Sequence, residues 1–447
     1  INQGGRLVIE AKRIGSDTEL ARITKMVLAA QAEKAPIQRL ADRISGVFVP
    51  IVLLIAIATL GSWLLLGNEI APSISAAVAV LVIACPCALG LATPVALLVA
   101  SGKGANSGII MRRVSVLEIA PKIDTVVFDK TGTLTTGAMK VQAQAIVPST
   151  KLPITDSELH TAIATIASSS NHPVAMAIGS DLKSSTTVQL SMSEYLETPG
   201  QGVAARLKFN SGALPVLMGR PESIQRAVLD FPAEIENIIL SARGNGSSIS
   251  VVAIDGIAVA AFEVGDTLRE DSPKAISKFR ESSIDAWLIT GDNEGAATQI
   301  ARKVGISETH LIYKASPEAK IEKIKELQGQ GRKVLMIGDG INDAAALAAA
   351  DLSMAMGTGT DTAQAAADIT LMRPSLLAAI EAIALSKKTL RTIKTNLGWA
   401  FLYNVFGIPI AALGALSPMY AGGAMALSSL FVVLISLRIG RTTTLPA

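Results

Sequence analysis

The chain of 447 residues is 50% hydrophobic with a mean hydropathy of +0.45, which excludes a purely soluble globular protein. Its net charge of +3 gives no footprint for nucleic acid, so no nucleic-acid partner is expected. Two cysteines, both within one three-residue motif, exclude a disulfide framework.

The chain opens at Ile1 with no signal peptide and reads as a fragment lacking its natural N-terminus. Arg6 to Arg13 reads as the last strand of something mostly absent. From Asp17 to about Arg43 the residues Leu20, Ile23, Val27 and Leu28 are spaced for a helix, with Ser16 or Asp17 as its cap. Three charge-free runs follow. Val47–Leu66 is of spanning length. Ala71–Ser101 is longer than one straight span needs and contains Pro86 and Pro94. Thr395–Leu437 is divided by Ser417-Pro418. Together they predict four membrane helices. Bases such as Arg39, Arg43, Lys103, Lys387, Lys388 and Arg438 flank one side, while the loops at Gly67-Asn68-Glu69 and Ser417-Pro418 carry none. The positive-inside rule then puts both ends and the large middle region in the cytoplasm.

That middle region, from about Ala105 to Ser386, alternates strands and helices and predicts a doubly wound α/β sheet. An insert from about Ala138 to Asp255 splits it. The seven residues Asp129-Lys130-Thr131-Gly132-Thr133-Leu134-Thr135 follow a short buried strand, Ile123 to Phe128. A carboxylate at such a strand end sits where open α/β sheets bind ligands. Thr131, Thr133 and backbone N–H groups can hold phosphate oxygens, and Asp129 is suited to form an aspartyl-phosphate. Thr131 stands where a phosphatase would want a second acid. The phosphoenzyme should therefore persist until another part of the protein supplies a base.

Two further motifs stand at strand ends, Thr290-Gly291-Asp292 and Gly338-Asp339-Gly340-Ile341-Asn342-Asp343. Thr290 should hold the phosphoryl group, and Lys320 should neutralise developing charge. Mg²⁺ wants hard oxygens, which makes Asp129, Asp339 and Asp343 its candidate ligands. In the second membrane run, Cys85-Pro86-Cys87 places two soft sulfur donors beside a proline that breaks the helix. Thiolates select Cu(I), Ag(I), Zn(II) or Cd(II), and a disulfide across so short a spacing is not expected. The charge-free runs contain no Lys, Asp, Glu or His. A divalent ion would want a charged partner there, whereas a monovalent soft ion needs none.

These strings resemble the phosphorylation signature and the Cys-Pro-Cys motif of the heavy-metal-transporting P-type ATPases, in their copper(I) branch. The resemblance implies a membrane bundle, a haloacid-dehalogenase-like phosphorylation domain and an inserted α+β nucleotide-binding domain. It divides the chain into an actuator remnant at 1–16, a linker helix and two membrane helices at 17–103, and the first part of the phosphorylation domain at 104–137. The nucleotide-binding domain takes 138–260, the second part of the phosphorylation domain 261–386, and two last membrane helices 387–447. It implies that Asp129, Thr131, Thr290, Gly291, Asp292 and Lys320 are catalytic. Cys85, Cys87, Tyr403, Asn404, Met425 and Ser429 would bind the transported Cu⁺ or Ag⁺.

His172-Pro173 and Gly200-Gln201-Gly202 resemble the family's ATP-site motifs. Asn171 stands where a glutamate is usual, and Ala205 replaces a third glycine. Asp266 and Arg269 lie in a stretch resembling the family's return from the insert. They either bridge nucleotide and sheet or form a salt bridge. The family implies ATP, Mg²⁺, a lipid bilayer (a bacterial plasma membrane by default) and delivery of copper by a soluble chaperone. No loop resembling the actuator's Thr-Gly-Glu is present, so the fragment alone is expected to bind ATP without completing transport. A zinc or cadmium pump, a membrane-anchored phosphatase and a metal sensor are the alternatives.

Overall fold

A computed structural model of the protein describes residues 36–85, 87–148, 151–182, 190–198, 200–228, 231–339 and 343–441. The expected strand at Arg6–Arg13 and the helix cap at Ser16 or Asp17 lie outside them. The chain divides into two compact units, Ile1–Thr125 with Lys325–Ala447, and Val126–Ile324.

The first unit holds a helical bundle. Its helices are Pro36–Leu65, Ile70–Ile83, Cys87–Asn106, Leu377–Ala412 and Pro418–Arg441. The second charge-free run is thus broken, as Pro86 requires, because proline has no N–H to continue the ladder. The first helix of the pair ends with the N–H of Cys85 bonded to Val82 O at 3.2 Å. The interior is layered from small side chains. Ala88, Ala92, Ala400 and Val432 form one layer, and Ala96, Ala100, Ile393 and Ile439 the next. Small residues let helix backbones approach where packing must replace the hydrophobic effect. The outside is apolar, with Leu54 67% and Phe406 65% exposed, the reverse of a soluble bundle.

Among the described residues, Gly46–Leu65 and Pro418–Gly440 are long and apolar enough to cross a membrane, and Ile70–Ile83 is apolar but only 14 residues long. The four expected spans therefore correspond to two that stand by length and composition, one broken pair, and the 36-residue helix Leu377–Ala412 with its basic first half. Trp63 ties the bundle at one end. Its indole N–H donates to Ala412 O at 2.9 Å, and its ring fills the space that a Cβ on Gly414 would need.

The same unit carries four strands in the order Ile109–Met111, Ile369–Leu371, Leu352–Met356, Val334–Gly338. The first pairs antiparallel and the others parallel.

In the second unit, Thr125–Phe128 neighbours Asp285–Ile289, which pairs parallel with Leu311–Ile312. Val126, Val127 and Phe128 are fully buried, and Phe128 meets Phe279 edge-on at 5.6 Å. The insert is a six-stranded antiparallel sheet. Its outer pair, Thr135–Ile146 and Ile257–Leu268, runs straight out of the nucleophile loop and back. Helices Asp156–Ser168 and Pro173–Leu182 cover one face through Ile163, Ile166 and Ile178. Ala233–Asn245 covers the other through Ile235 and Ile239. Thr155 and Glu158 close a reciprocal capping box on the first of these helices.

Candidate functional site

Asp129 ends its strand buried, 7% exposed, and its Oδ1 accepts a hydrogen bond from Lys320 Nζ at 2.5 Å. Lys320 is itself 6% exposed. Burying either charge alone would be costly, so each is kept by the other. Thr290 is buried and caps its own loop. Its N–H donates to Ile312 O and its hydroxyl accepts from Asp292 N–H at 3.2 Å. Asp292 pairs with Lys130. Gly291 has the Ala315 carbonyl at 3.4 Å from where a Cβ would stand, an ordinary contact. Thr131 is exposed in an extended conformation, and Gly132 turns the chain with φ +71°.

Four carbonyls of the loop after Asp129 are held by hydrogen bonds. Lys130 O accepts from Thr135 N–H and from the Thr135 hydroxyl at 2.9 Å. Gly132 O accepts from Arg269 Nη2 at 2.6 Å, and Thr133 O from Arg269 Nε at 3.0 Å. Leu134 O accepts from the Ser272 hydroxyl at 2.8 Å. In a trans peptide the N–H points opposite to the C=O. The N–H groups of Thr133 and Leu134 are therefore turned away from Arg269, as an anion-binding concavity requires. The Thr133 hydroxyl is buried with no hydrogen-bond partner among the described residues.

The two residues expected to meet nucleotide both contact the loop. Arg269 is buried on loop carbonyls, and Asp266 contacts the Thr135 hydroxyl through Oδ2. Ser272 was not singled out by sequence, because a lone serine at the start of a helix carries no signal of what it will hold.

In the first unit, the strand Val334–Gly338 delivers Asp339 and Asp343. Asp343 is buried, and its Oδ2 lies 2.9 Å from where a Cβ on Gly338 would stand, so only glycine admits it. Asp339 O accepts from Thr360 N–H at 2.8 Å and sits against Gly359. Hard carboxylates fixed this closely suit Mg²⁺.

In the insert, His172 Nδ1 accepts from Val174 N–H at 3.3 Å, capping its helix and placing the ring proton on Nε2. Its ring is exposed. Glu197, which sequence reasoning missed, reaches this loop from the neighbouring strand. Its carboxylate accepts from the Ser170 hydroxyl and the Tyr195 hydroxyl, both at 2.8 Å. Those two donors hold Glu197 below the usual carboxylate range. Gly200 has φ +77° with open space around it, whereas a Cβ on Gly202 would lie 2.1 Å from Met218 O. Gly202 is thus required by its pairing with Gly219, whatever binds there.

Within the bundle, Cys85, Tyr403, Asn404, Met425 and Ser428 line one small cavity floored by Ala88 and Ala400. Four of the predicted metal ligands are thereby brought together. Ser428 stands in the cavity, and its neighbour Ser429 does not line it. The Cys87 side chain lies outside the described residues. Cys85 is disulfide-bonded, against the expectation of an unpaired sulfur.

The haloacid dehalogenase-like hydrolase family matches residues 123–351, just over half of the chain. A probable copper-exporting P-type ATPase V of Mycobacterium tuberculosis is 44% identical over 441 residues, covering 99% of this chain and 56% of that protein. A copper-exporting P-type ATPase of Bacillus subtilis is 42% identical over 441 residues, 98% of this chain and 54% of its own. The chain thus spans about half the length of the curated relatives it matches. Among solved structures, a zinc-transporting PIB-type ATPase superposes with a TM-score of 0.75 at 29% identity, over 95% of this chain and 68% of that one. The chain belongs to the haloacid dehalogenase-like hydrolase family, and its fold is that of the P-type ATPases it resembles.

Proposed function

We propose that this chain is the catalytic and C-terminal membrane part of an ATP-driven copper(I) pump that works through an aspartyl-phosphate. The observation that carries the reading is the union on one chain of a buried, lysine-paired aspartate at a strand end and a soft-donor cavity in a membrane bundle. An Asp129 carboxylate oxygen attacks the γ-phosphorus of ATP. The bond from that phosphorus to the bridging oxygen breaks, and ADP leaves with the electron pair. Lys320 neutralises charge beside the nucleophile, and the loop N–H groups receive phosphoryl oxygens. Mg²⁺, held by Asp339, Asp343 and the Asp129 carboxylate, would supply further neutralisation of those oxygens. His172 and Gly200 would meet the nucleotide base side, where Glu197 supplies the carboxylate that Asn171 does not. Thr131 cannot activate water, so the phosphoenzyme survives long enough to drive the membrane part.

Cu⁺ is the proposed cargo, with Ag⁺ handled similarly. Cys85 and Met425 are soft donors, and among the described residues none lining the cavity is charged, which suits a monovalent ion. The cavity takes metal once Cys85 is reduced. A bacterial plasma membrane and delivery by a soluble copper chaperone complete the reading. A zinc pump is the second reading, favoured by the likeness to a zinc-transporting structure.

The test is phosphoenzyme formation from labelled ATP in membranes holding the whole protein, with reductant and with Cu(I), Ag(I), Zn(II) or Cd(II) added in turn. Label that needs Cu(I) or Ag(I) and is lost in Asp129→Asn and Cys85→Ala supports the copper pump. Label driven by Zn(II) or Cd(II) moves the cargo to the divalent class. No metal-dependent label at all overturns the pump.

A further inference from the structure

Thr135 has one hydroxyl proton and three polar neighbours. Gly132 N–H donates to its Oγ1 at 3.2 Å, and Lys130 O lies 2.9 Å away, placed to accept. The third neighbour is Asp266 Oδ2, in close contact. Two oxygens thus compete for one proton. An ionised Asp266 would take that proton and leave the Lys130 carbonyl facing a hydroxyl lone pair. A protonated Asp266 resolves the conflict: it donates to Thr135, and Thr135 donates to Lys130 O. The other carboxyl oxygen of Asp266 is buried with no hydrogen-bond partner among the described residues. A neutral C=O bears that isolation better than half of a carboxylate.

We propose that Asp266 carries its proton and donates it to Thr135, as a positioning residue that braces the Asp129 loop without setting a negative charge beside the incoming phosphates. The inference rests on Asp129 being the phosphorylated group. Burial pushes the Asp266 carboxyl up, against the Thr135 hydroxyl, the Lys130 ammonium and the backbone N–H groups of Gly137 and Thr267. Lys130 is the charged group facing it from the loop, and it is already paired with Asp292. The strand Thr135–Ile146 presents Thr135 and Gly137, and its own strand presents Thr267. A group raised in this way favours the ordered loop fully below its unfolded pKa and loses that contribution as pH rises through its folded pKa.

The experiment uses the whole protein in membranes at saturating ATP, across a pH series. Asp266→Asn keeps a donor to Thr135 and should phosphorylate within about threefold of wild type, while Asp266→Ala should fall by about tenfold or more. Wild type should lose label towards alkaline pH along a limb that Asp266→Asn lacks. An infrared difference spectrum between wild type and Asp266→Asn should show a protonated-carboxyl C=O band in wild type only, a readout that holds even if Asp266→Ala misfolds. An Asp266→Asn variant as inactive as Asp266→Ala, an alkaline limb that persists in it, or no carboxyl band overturns the proposal. Failure of wild type itself to label would instead strike the phosphorylation reading.

Discussion

Replacing Arg269 by lysine separates two roles that the sequence leaves open. In the structure the guanidinium is buried and spends Nε and Nη2 on the carbonyls of Thr133 and Gly132, at 3.0 and 2.6 Å. A lysine ammonium has no fork and serves at most one of these two oxygens well. Losing one charge-assisted bond and leaving its buried acceptor unpaired costs about 1.5–3 kcal/mol. If that falls on the loop geometry competent for transfer, phosphorylation slows roughly 10- to 150-fold, at about 1.4 kcal/mol per decade. The assay is single-turnover phosphoenzyme formation at saturating ATP, set beside equilibrium binding of labelled ATP. A loop brace predicts a slow transfer step with nucleotide affinity within about twofold of wild type, since the guanidinium would not touch ATP. Weakened ATP binding with an unchanged rate at saturation would refute the reasoning and return Arg269 to the nucleotide.

Lys320→Met should leave Asp129 buried without its 2.5 Å partner, destabilise the protein by about 3–5 kcal/mol and abolish phosphorylation. The double variant with Asp129→Asn should regain part of that stability in a thermal melt, and no recovery would deny that the two charges are coupled. Gly202→Ala should lower the melting temperature and weaken ATP binding, because its Cβ would stand 2.1 Å from Met218 O. Gly200→Ala, with only a φ of +77° to strain it, should cost about 1 kcal/mol, and the opposite order would refute the pairing argument. Glu158 lies below the usual carboxylate range because Thr155 and Asn210 N–H groups donate to it. Its contribution is present above its unfolded pKa and lost as pH falls through the lower folded value. Glu158→Ala should therefore flatten the acid limb of a melting-temperature profile.

Much of the architecture was legible because its causes are local. A charge-free run and a proline within it need no partner to be read, so the break between Ile83 and Cys87 follows from neighbouring letters. The strand-end motifs are legible for the same reason. Each is a buried β-branched run followed at once by its chemistry, and the fold needs that order. Lys320 could be named from its motif, although only the fold brings it to Asp129 across 191 residues.

What escaped the sequence is set by register and rotation, which no short window contains. Met425 points about 60° from Ser428 and about 40° from Ser429 on the other side around a helix, so the spacing favours neither. The position of the adjacent helices decides, and it brings Ser428 to Cys85. Gly202 read as a ligand glycine because its neighbours are glycine-rich. Pairing adds a second constraint from Gly219, reached only when the two strands meet. Asn171 suggested a missing carboxylate, yet Glu197 delivers one to the same loop from the next strand, through Ser170. A motif fixes which atoms a site can offer along the chain. Which further atoms arrive from elsewhere depends on pairing, and substitutions at one can be offset at the other.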